Sequence, residues 1–242
     1  MSALFTSGLH DEIVKLTAVY GYITAEEVCY LAGDMRKAWN VLEYLRSKGI
    51  MGTFSTMVRP TRAYYLPIQT KRIVESSGEV AYVSKFEPSK YNPSTFFHHT
   101  KMMKVHLALK NLLKERLKEF LSEPYLKYVK ATDKQKICDG EFIFTNKKGE
   151  DRKAGIEIEL TLKNREARVK RIRALYRYAE KNLNVIFLFY NLPIIKERFI
   201  EAVKELKLEK PPIFSMKLAE FLNSPDTVEA EDLENRKVAI FK

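Results

Sequence analysis

The sequence predicts a mixed α/β protein built in two parts, and three patterns support this prediction. Residues 11–66 contain three short amphipathic helix patterns followed by a β-rich hairpin. Residues 155–163, GIEIELTLK, alternate apolar and polar side chains without a break, as a half-buried β-strand does. Residues 184–190, NVIFLFY, form an uninterrupted apolar run, which is typical of a strand covered on both faces. A polar segment with two prolines, 84–95, lies between the two parts.

The first part has well-marked helix boundaries. Thr24 and Glu27 have the spacing of a capping box, Asp34 is a good N-cap for a third helix, and Gly49 is a good place for that helix to end. The apolar stripe of the third helix consists of Met35, Ala38, Leu42 and Leu45. Three short helices followed by a hairpin are typical of a winged helix-turn-helix domain. We predict this domain over residues 1–83 and a linker over 84–97.

A winged-helix domain places its third helix in the DNA major groove, so side chains opposite the apolar stripe would face bases and phosphates. The predicted DNA contacts of the first part are Arg36, Lys37, Asn40, Tyr44, Lys48, Arg59 and Arg62. The alternative is a domain that contacts another protein. Residues 1–100 favour this alternative somewhat, because eleven basic and nine acidic side chains leave them nearly neutral.

The second part, 98–225, alternates helix and strand patterns, and an acidic tail follows it at 226–242. The predicted elements are a helix at 98–121, strands at 125–131, 136–145 and 155–163, a helix at 165–181, a strand at 184–190 and a helix at 194–206. We expect the first three strands to form an antiparallel meander. The strand at 184–190 follows a helix, so we expect it to run parallel to a neighbour.

The alternating strand at 155–163 places Glu157, Glu159 and Lys163 on one face, with side chains about 6–7 Å apart. Asp139 ends an upstream run that can return as the adjacent strand. Clustered carboxylates repel one another unless a cation lies among them, and their oxygen atoms suit Mg²⁺ or Mn²⁺. The alternative is a solvent-exposed sheet face without any chemistry, which is common in antiparallel sheets.

The net charge of +11 is concentrated in the part that contains this acidic strand. Residues 101–210 hold twenty-seven basic and sixteen acidic side chains, whereas residues 211–242 hold four and six. A basic surface around an acidic pocket suits a polyanion whose backbone is held while one phosphate is attacked. The predicted DNA contacts of this part are Arg165, Arg168 and Arg171.

Composition argues against several classes of protein. No window approaches eighteen consecutive apolar residues, so we expect no membrane insertion. The N-terminus lacks the basic and apolar regions of a secretory signal. The two cysteines, Cys29 and Cys138, are too few for a disulfide framework or a cysteine-rich zinc site. We therefore expect a cytoplasmic protein.

The order helix, three-stranded meander, helix, strand resembles the restriction-endonuclease-like αβββαβ core of the PD-(D/E)xK nucleases. Those enzymes carry an aspartate at the end of the second strand and an acidic-basic pair on the third. Here Cys138 precedes Asp139 in place of proline, and the third strand carries E-x-E-x-T-x-K instead of E-x-K. With a winged helix before this core and an arginine-rich helix after it, the chain resembles the replication–relaxation family, and within it the MobC-type conjugative relaxases, over about residues 10–225.

The resemblance implies a relaxase, an endonuclease that nicks one strand at an origin of transfer to start conjugative mobilisation of a plasmid or another mobile element. It implies that Asp139, Glu157 and Glu159 bind the divalent metal and that Lys163 is the fourth catalytic residue. It also implies an accessory relaxosome protein and a coupling ATPase as partners. Whether cleavage is hydrolytic or passes through a covalent intermediate stays open. The alternative function is a non-catalytic winged-helix DNA-binding replication initiator or regulator with a degenerate nuclease-like domain.

Overall fold

The computed structural model describes residues 8–58, 61–129, 138–238 and 241, which belong to two compact units. Unit 1 is Met1–Leu107 and unit 2 is Ala108–Lys242. Each unit contains helices and one β-sheet, so the predicted mixed α/β class is confirmed. Within the described ranges, the helices are all too short or too polar to cross a lipid bilayer.

Unit 1 consists of helices around a small antiparallel sheet with the strand order β1-β3-β2. Its elements are α1 (Gly8–Tyr20), β1 (Tyr22–Thr24), α2 (Ala25–Ala32), α3 (Met35–Ser47), β2 (Gly52–Ser55), β3 (Arg62–Tyr65), α4 (Ile68–Ser77) and most of α5 (Phe96–Leu113). Short 3₁₀ turns at Pro88–Lys90 and Pro93–Thr95 precede α5. The predicted caps are present. The Thr24 backbone N–H donates to Glu27 at 2.8 Å, and the Lys37 backbone N–H donates to Asp34 at 2.8 Å.

Unit 2 is built on a seven-stranded sheet with the order β10-β9-β8-β7-β6-β5-β4. After a 3₁₀ turn at Lys114–Arg116, its elements are β4 (Leu117–Ser122), α6 (Glu123–Val129), β5 (Gly140–Thr145), β6 (Asp151–Glu159), α7 (Arg165–Asn182), β7 (Val185–Tyr190), α8 (Pro193–Glu205), β8 (Ile213–Lys217), α9 (Leu218–Asn223), β9 (Ala230–Glu231) and β10 (Lys237–Val238). Strands β4, β5 and β6 form an antiparallel meander. Strands β6, β7 and β8 run parallel, as expected for the strand after α7.

Two predicted elements of unit 2 are wrong. Residues 125–131 were expected to form a strand, but Glu123–Val129 is helix α6, and residues 130 and 131 lie outside the described ranges. Pro124 explains the helix, because proline is favoured in a first helical turn. The helix predicted over 98–121 ends at Leu113, and its last residues form β4 instead. The leucine spacing there fits a helix, but pairing with β5 holds the backbone extended.

The sheet of unit 2 is covered on both faces. One face carries an aromatic cluster of Phe142, Phe144, Phe187, Phe189, Phe221 and Phe241. The other face packs against α7 and α8 through Ile172, Leu175, Tyr176, Ile186, Leu188 and Phe199, among others. Strand β6 is consequently buried from Ala154 to its end at Glu159. The alternative of a solvent-exposed strand face is therefore wrong.

Gly155 allows α7 and the loop before β5 to lie close to β6. A Cβ atom at this position would lie 2.5 Å from Leu183 Cδ1 and 3.0 Å from Cys138 Sγ. Contacts that short are repulsive, so any larger residue would push these neighbours away. The glycine therefore allows Leu183, just after α7, and Cys138, just before β5, to pack closely against β6.

Candidate metal centre

Backbone pairing at the start of β5 brings Asp139 next to Glu157. Gly140 is the antiparallel register partner of Ile156. The Asp139 backbone N–H donates to the Ile156 carbonyl at 2.9 Å, and the Ile158 backbone N–H donates to Asp139 Oδ2 at 2.8 Å. The Asp139 side chain is thus held against the strand that carries Glu157.

Lys163 contacts Glu159 from the loop between β6 and α7. Strand β6 ends at Glu159, although the sequence predicted that it continues to Lys163. The chain must turn there because α7 begins at Arg165, and Leu162, expected to be buried, is 55% exposed. The Lys163 Nζ atom nevertheless lies 2.7 and 2.6 Å from the two carboxylate oxygens of Glu159. The four predicted site residues therefore form one connected group.

The three carboxylates of this group, which we call the acidic cluster (Asp139, Glu157 and Glu159), are buried side by side. Asp139 and Glu159 are almost completely buried, and Glu157 is completely buried. Removing one charged carboxylate from water costs several kcal/mol unless a cation and hydrogen bonds compensate for the loss. The arrangement therefore depends on positive charge placed among the carboxylates.

Arg171 supplies much of this positive charge. Its Nη2 atom lies 3.1 Å from Asp139 Oδ1, and its Nε atom lies 3.0 Å from Glu159 Oε1. Both nitrogens also pair with Glu157 Oε1. The sequence placed Arg171 on a DNA-facing surface, but the structure places its guanidinium among the carboxylates. The reason is that this side of α7 lies over β6, which helical periodicity alone did not distinguish from the exposed sides.

The acidic cluster contains more carboxyl groups than the cations that contact it among the described residues. Glu157 Oε2 is buried and has no hydrogen-bond partner among the residues that the structure describes. Burial raises the pKa of Glu157 well above its usual range, and the neighbouring charges of Asp139 and Glu159 raise it further, whereas Lys163 opposes this shift. Burial also lowers the pKa of Arg171 to about 10. Both shifts have the sign expected when charges are crowded in a poorly hydrated space.

Sequence reasoning missed a fourth carboxylate beside this cluster. The oxygens of Glu123 and Asp139 lie within 4.8 Å of one another. This proximity follows from the sheet, because Ser122 at the end of β4 pairs with Gly140 at the start of β5. The sequence signal was the Pro124 that follows Glu123, since it marks a helix start and hence a strand end just before it.

A second buried carboxylate, Glu141, was also missed. It is completely buried on β5, opposite Gly155 of β6. The Tyr178 hydroxyl donates to Glu141 Oε1, and Lys153 Nζ lies 2.8 Å from Glu141 Oε2. Glu141 therefore has its own cation and its own hydrogen-bond donor. We call these three residues the Glu141 group.

The other predicted DNA contacts of unit 2 lie near the start of α7. Arg165 is exposed and pairs with Glu205 at 2.6 Å. Arg168 is partly buried, and its Nη1 atom donates to the Lys163 carbonyl at 2.9 Å. Arg168 Nε is buried without a hydrogen-bond partner in the described part of the chain. These two arginines therefore stand next to the loop that carries Lys163.

The predicted DNA contacts of unit 1 lie on its surface where the structure describes them. The exposed side chains on or just after α3 are Arg36, Lys37, Asn40, Tyr44 and Lys48. They lie opposite the buried stripe of Ala38, Leu42 and Leu45. Arg62 is also exposed, and it pairs with Glu43 at 3.1 Å. Arg59 lies outside the described residues.

The acidic cluster offers the type of ligand atom that a hard divalent cation prefers, although among the described residues the carboxylate grouped with Asp139 within 4.8 Å is that of Glu123. Carboxylate oxygens are the preferred protein ligands of Mg²⁺ and Mn²⁺. The unpartnered Oε2 of Glu157 offers one such oxygen without breaking an existing hydrogen bond.

No protein-family model, curated protein or solved structure matches the chain.

Proposed function

We propose that the chain is a divalent-metal-dependent DNA endonuclease that nicks one strand, acting as a relaxase at an origin of transfer. The observation that carries the proposal is the convergence of the acidic cluster with Lys163, together with the unpartnered oxygen of Glu157. The order of elements along the chain from α5 onward, with the β4-β5-β6 meander, α7 and β7, supports a restriction-endonuclease-like core.

Each side chain of the cluster has a distinct role in this proposal. Asp139, Glu157 and Glu159 would hold one Mg²⁺ or Mn²⁺ ion through their carboxylate oxygens. When bound there, such an ion would supply a Lewis acid that lowers the pKa of a water and neutralises charge on the attacked phosphate. Lys163 orients Glu159 through two hydrogen bonds and would present its ammonium to the same phosphate. The Ile158 backbone N–H fixes the orientation of Asp139.

Unit 1 would bind the DNA duplex in this proposal. Three helices and a small antiparallel sheet in the order observed support a winged helix-turn-helix domain. The exposed face of α3 carries Arg36 and Lys37, which suit phosphates, and Asn40, which suits a base edge. The net charge of +11 favours a polyanionic partner. The relaxase role would add an accessory relaxosome protein and a coupling ATPase as partners.

One observation favours a second candidate function, a DNA-binding initiator or regulator without catalysis. The Arg171 guanidinium already contacts all three carboxylates of the acidic cluster. A site with a permanent internal cation can serve as a purely structural charge network. The two candidates therefore differ in whether a metal ion enters this cluster.

A nicking experiment separates the two candidates. A supercoiled plasmid that carries the protein's own origin region is incubated with the protein, with and without Mg²⁺ or Mn²⁺. We expect metal-dependent conversion to open circles that is lost in Asp139→Asn and Lys163→Ala, because each variant removes one part of the catalytic group. Lys170→Ala, which removes an exposed lysine of α7, is the matched control and should nick like the wild type.

Binding of the same DNA is measured in parallel for all four proteins. The endonuclease proposal requires that the two inactive variants still bind DNA. If the wild type binds the origin DNA but does not convert it to open circles with either metal, the non-catalytic function is supported instead.

A further inference from the structure

We infer that Arg171 is an internal counter-ion that a divalent cation displaces from the acidic cluster, and that the displaced guanidinium then binds the DNA phosphate backbone. The inference rests on the proposed function for its DNA step. Its first step, displacement by the metal, concerns the folded protein alone and is tested without DNA or cleavage.

The contacts of Arg171 make the guanidinium and a metal ion mutually exclusive. Its nitrogens lie against Asp139 Oδ1, Glu157 Oε1 and Glu159 Oε1, one oxygen from each predicted metal ligand. A carboxylate oxygen that ligates a divalent ion at about 2.0–2.2 Å cannot keep a guanidinium in the same direction. A unit charge and a divalent ion about 4 Å apart also repel one another strongly in a partly buried site. Asp139 Oδ2 already accepts from the Ile158 backbone N–H, and Glu159 Oε2 already accepts from Lys163. A metal ion held by all three carboxylates must therefore take oxygens that Arg171 now contacts, and its binding must move Arg171.

The structure gives Arg171 a route out of the cluster. Its side chain is 16% exposed, so part of it already reaches the protein surface, whereas the three carboxylates are almost completely buried. A long, flexible side chain on a helix can swing toward water without moving the backbone. The guanidinium regains hydration when it leaves, which offsets part of the cost of breaking its ion pairs. The carboxylates stay in place because β6 and the backbone bonds of Asp139 hold them.

The neighbours of Arg171 favour a phosphate as its second partner. Arg168 precedes it by three residues, so the two side chains lie on adjacent positions of the same helix face. Arg168 is anchored to the Lys163 carbonyl, and its Nε atom has no hydrogen-bond partner within the described ranges. Two guanidinium groups at this spacing, beside Lys163, suit successive oxygens of one nucleic-acid backbone, and arginine binds phosphate in a bidentate manner. DNA and the metal are then expected to bind cooperatively.

The displacement is tested by Mn²⁺ binding to three proteins in the absence of DNA. Arg171→Gln removes the internal cation, and Arg173→Gln removes an exposed arginine of the same helix as the matched control. We expect Arg171→Gln to bind Mn²⁺ about tenfold or more tightly than the wild type, which corresponds to about 1.4 kcal/mol or more. Arg173→Gln should match the wild type. Isothermal titration calorimetry and the paramagnetic resonance signal of free Mn²⁺ give the three dissociation constants.

A second titration adds a single-stranded oligonucleotide. It should raise the Mn²⁺ affinity of the wild type and of Arg173→Gln, but raise that of Arg171→Gln much less. An affinity of Arg171→Gln for Mn²⁺ equal to or below the wild-type value would overturn the inference. If Arg171→Gln does not fold, Arg171→Met takes its place, because methionine also removes the internal cation and keeps a long, flexible side chain on the helix. The same criterion then applies to it.

The outcomes also separate this inference from the proposed function. If the wild type nicks DNA but Arg171→Gln binds Mn²⁺ no more tightly, the endonuclease stands and the displacement is wrong. If Arg171→Gln binds Mn²⁺ more tightly but the wild type never nicks, the displacement stands and the endonuclease proposal is wrong.

Discussion

Two groups of buried carboxylates lie on the same face of the unit 2 sheet, and they are neutralised in different ways. Glu141 and Glu157 are both completely buried, on neighbouring strands. Glu141 has one ammonium, from Lys153, and one hydroxyl donor, from Tyr178. Glu157 shares a single guanidinium with two further carboxylates. One group is balanced in charge, whereas the other has more carboxylates than nearby cations among the described residues.

The difference shows what distinguishes a structural buried charge from one that can take up a ligand. A buried carboxylate is tolerated when one cation and one hydrogen bond compensate for its lost hydration, as in the Glu141 group. The acidic cluster is only partly compensated, and one oxygen of Glu157 has no hydrogen-bond partner in the part of the chain that is described. We therefore expect an added cation to stabilise the acidic cluster. We expect no such effect on the Glu141 group, because Glu141 already pairs with Lys153 and accepts from Tyr178.

The largest expected contrast is in catalysis. Glu157→Gln removes a proposed metal ligand, so we expect the nicking rate to fall by about a hundredfold or more. Removing a residue that only contacts a metal ligand already lowers activity by up to about a hundredfold. Glu141→Gln keeps the shape of the side chain and leaves the acidic cluster intact, so most of the activity should remain. Single-turnover nicking of a supercoiled plasmid measures both rates. Equal losses in the two variants would show that the two groups do not differ in function.

The second contrast is in the stability of the metal-free protein. Here we expect the larger loss in the Glu141 variant, whereas for catalysis we expect it in the Glu157 variant. Glu141→Ala leaves Lys153 and the Tyr178 hydroxyl without their shared partner, so we expect a loss of about 2–3 kcal/mol, reduced because Lys153 is partly exposed. Glu157→Gln keeps the shape of a side chain whose raised pKa already favours its neutral form, so it should be neutral or stabilising. Urea unfolding followed by circular dichroism gives both free energies. If Glu157→Gln loses more stability than Glu141→Ala, the charges of the acidic cluster are not less well compensated than that of Glu141.

The smallest contrast is in the pH dependence of stability. Burial raises the pKa of Glu157 in the folded protein, so above about pH 4.3 the folded state binds a proton that the unfolded state releases. The free energy of unfolding of the metal-free protein should therefore fall with rising pH, by up to about 1.4 kcal/mol per unit for this group, until the folded pKa is passed. Urea titrations at several pH values should show a smaller slope for Glu157→Gln. An unchanged slope would argue against the raised pKa.

Local sequence patterns predicted most elements and the convergence of Asp139, Glu157 and Glu159. The unbroken alternation before Glu159 predicted β6, and the apolar run at 184–190 predicted β7, because period and burial are properties of single segments. Strand β4 was missed because its leucines continue a helical spacing. Only pairing with β5, a contact with a distant segment, holds its backbone extended.

The position of Arg171 could not be predicted from the sequence for a similar reason. Arginines occur at several positions of α7, and helical periodicity gives them all the appearance of an exposed basic surface. Arg171 differs from Arg173 because it lies over the sheet, where β6 contributes Glu157 and Glu159 and the segment before β5 contributes Asp139. Side chains that are neutralised by long-range contacts carry no local signal of their burial.

The aromatic cluster on the opposite face of the sheet helps to stabilise a fold that contains these buried carboxylates. Phe142 and Phe187 stack behind the strands that carry the acids, and Phe241 closes over Phe187. Each phenylalanine removed from water contributes about 1.5–3 kcal/mol, so several of these rings together offset part of the cost of burying the carboxylates. The aromatic cluster and the proposed metal site are thus on opposite faces of one sheet. A substitution in the acidic cluster can therefore remove the proposed activity while the aromatic cluster still stabilises the fold.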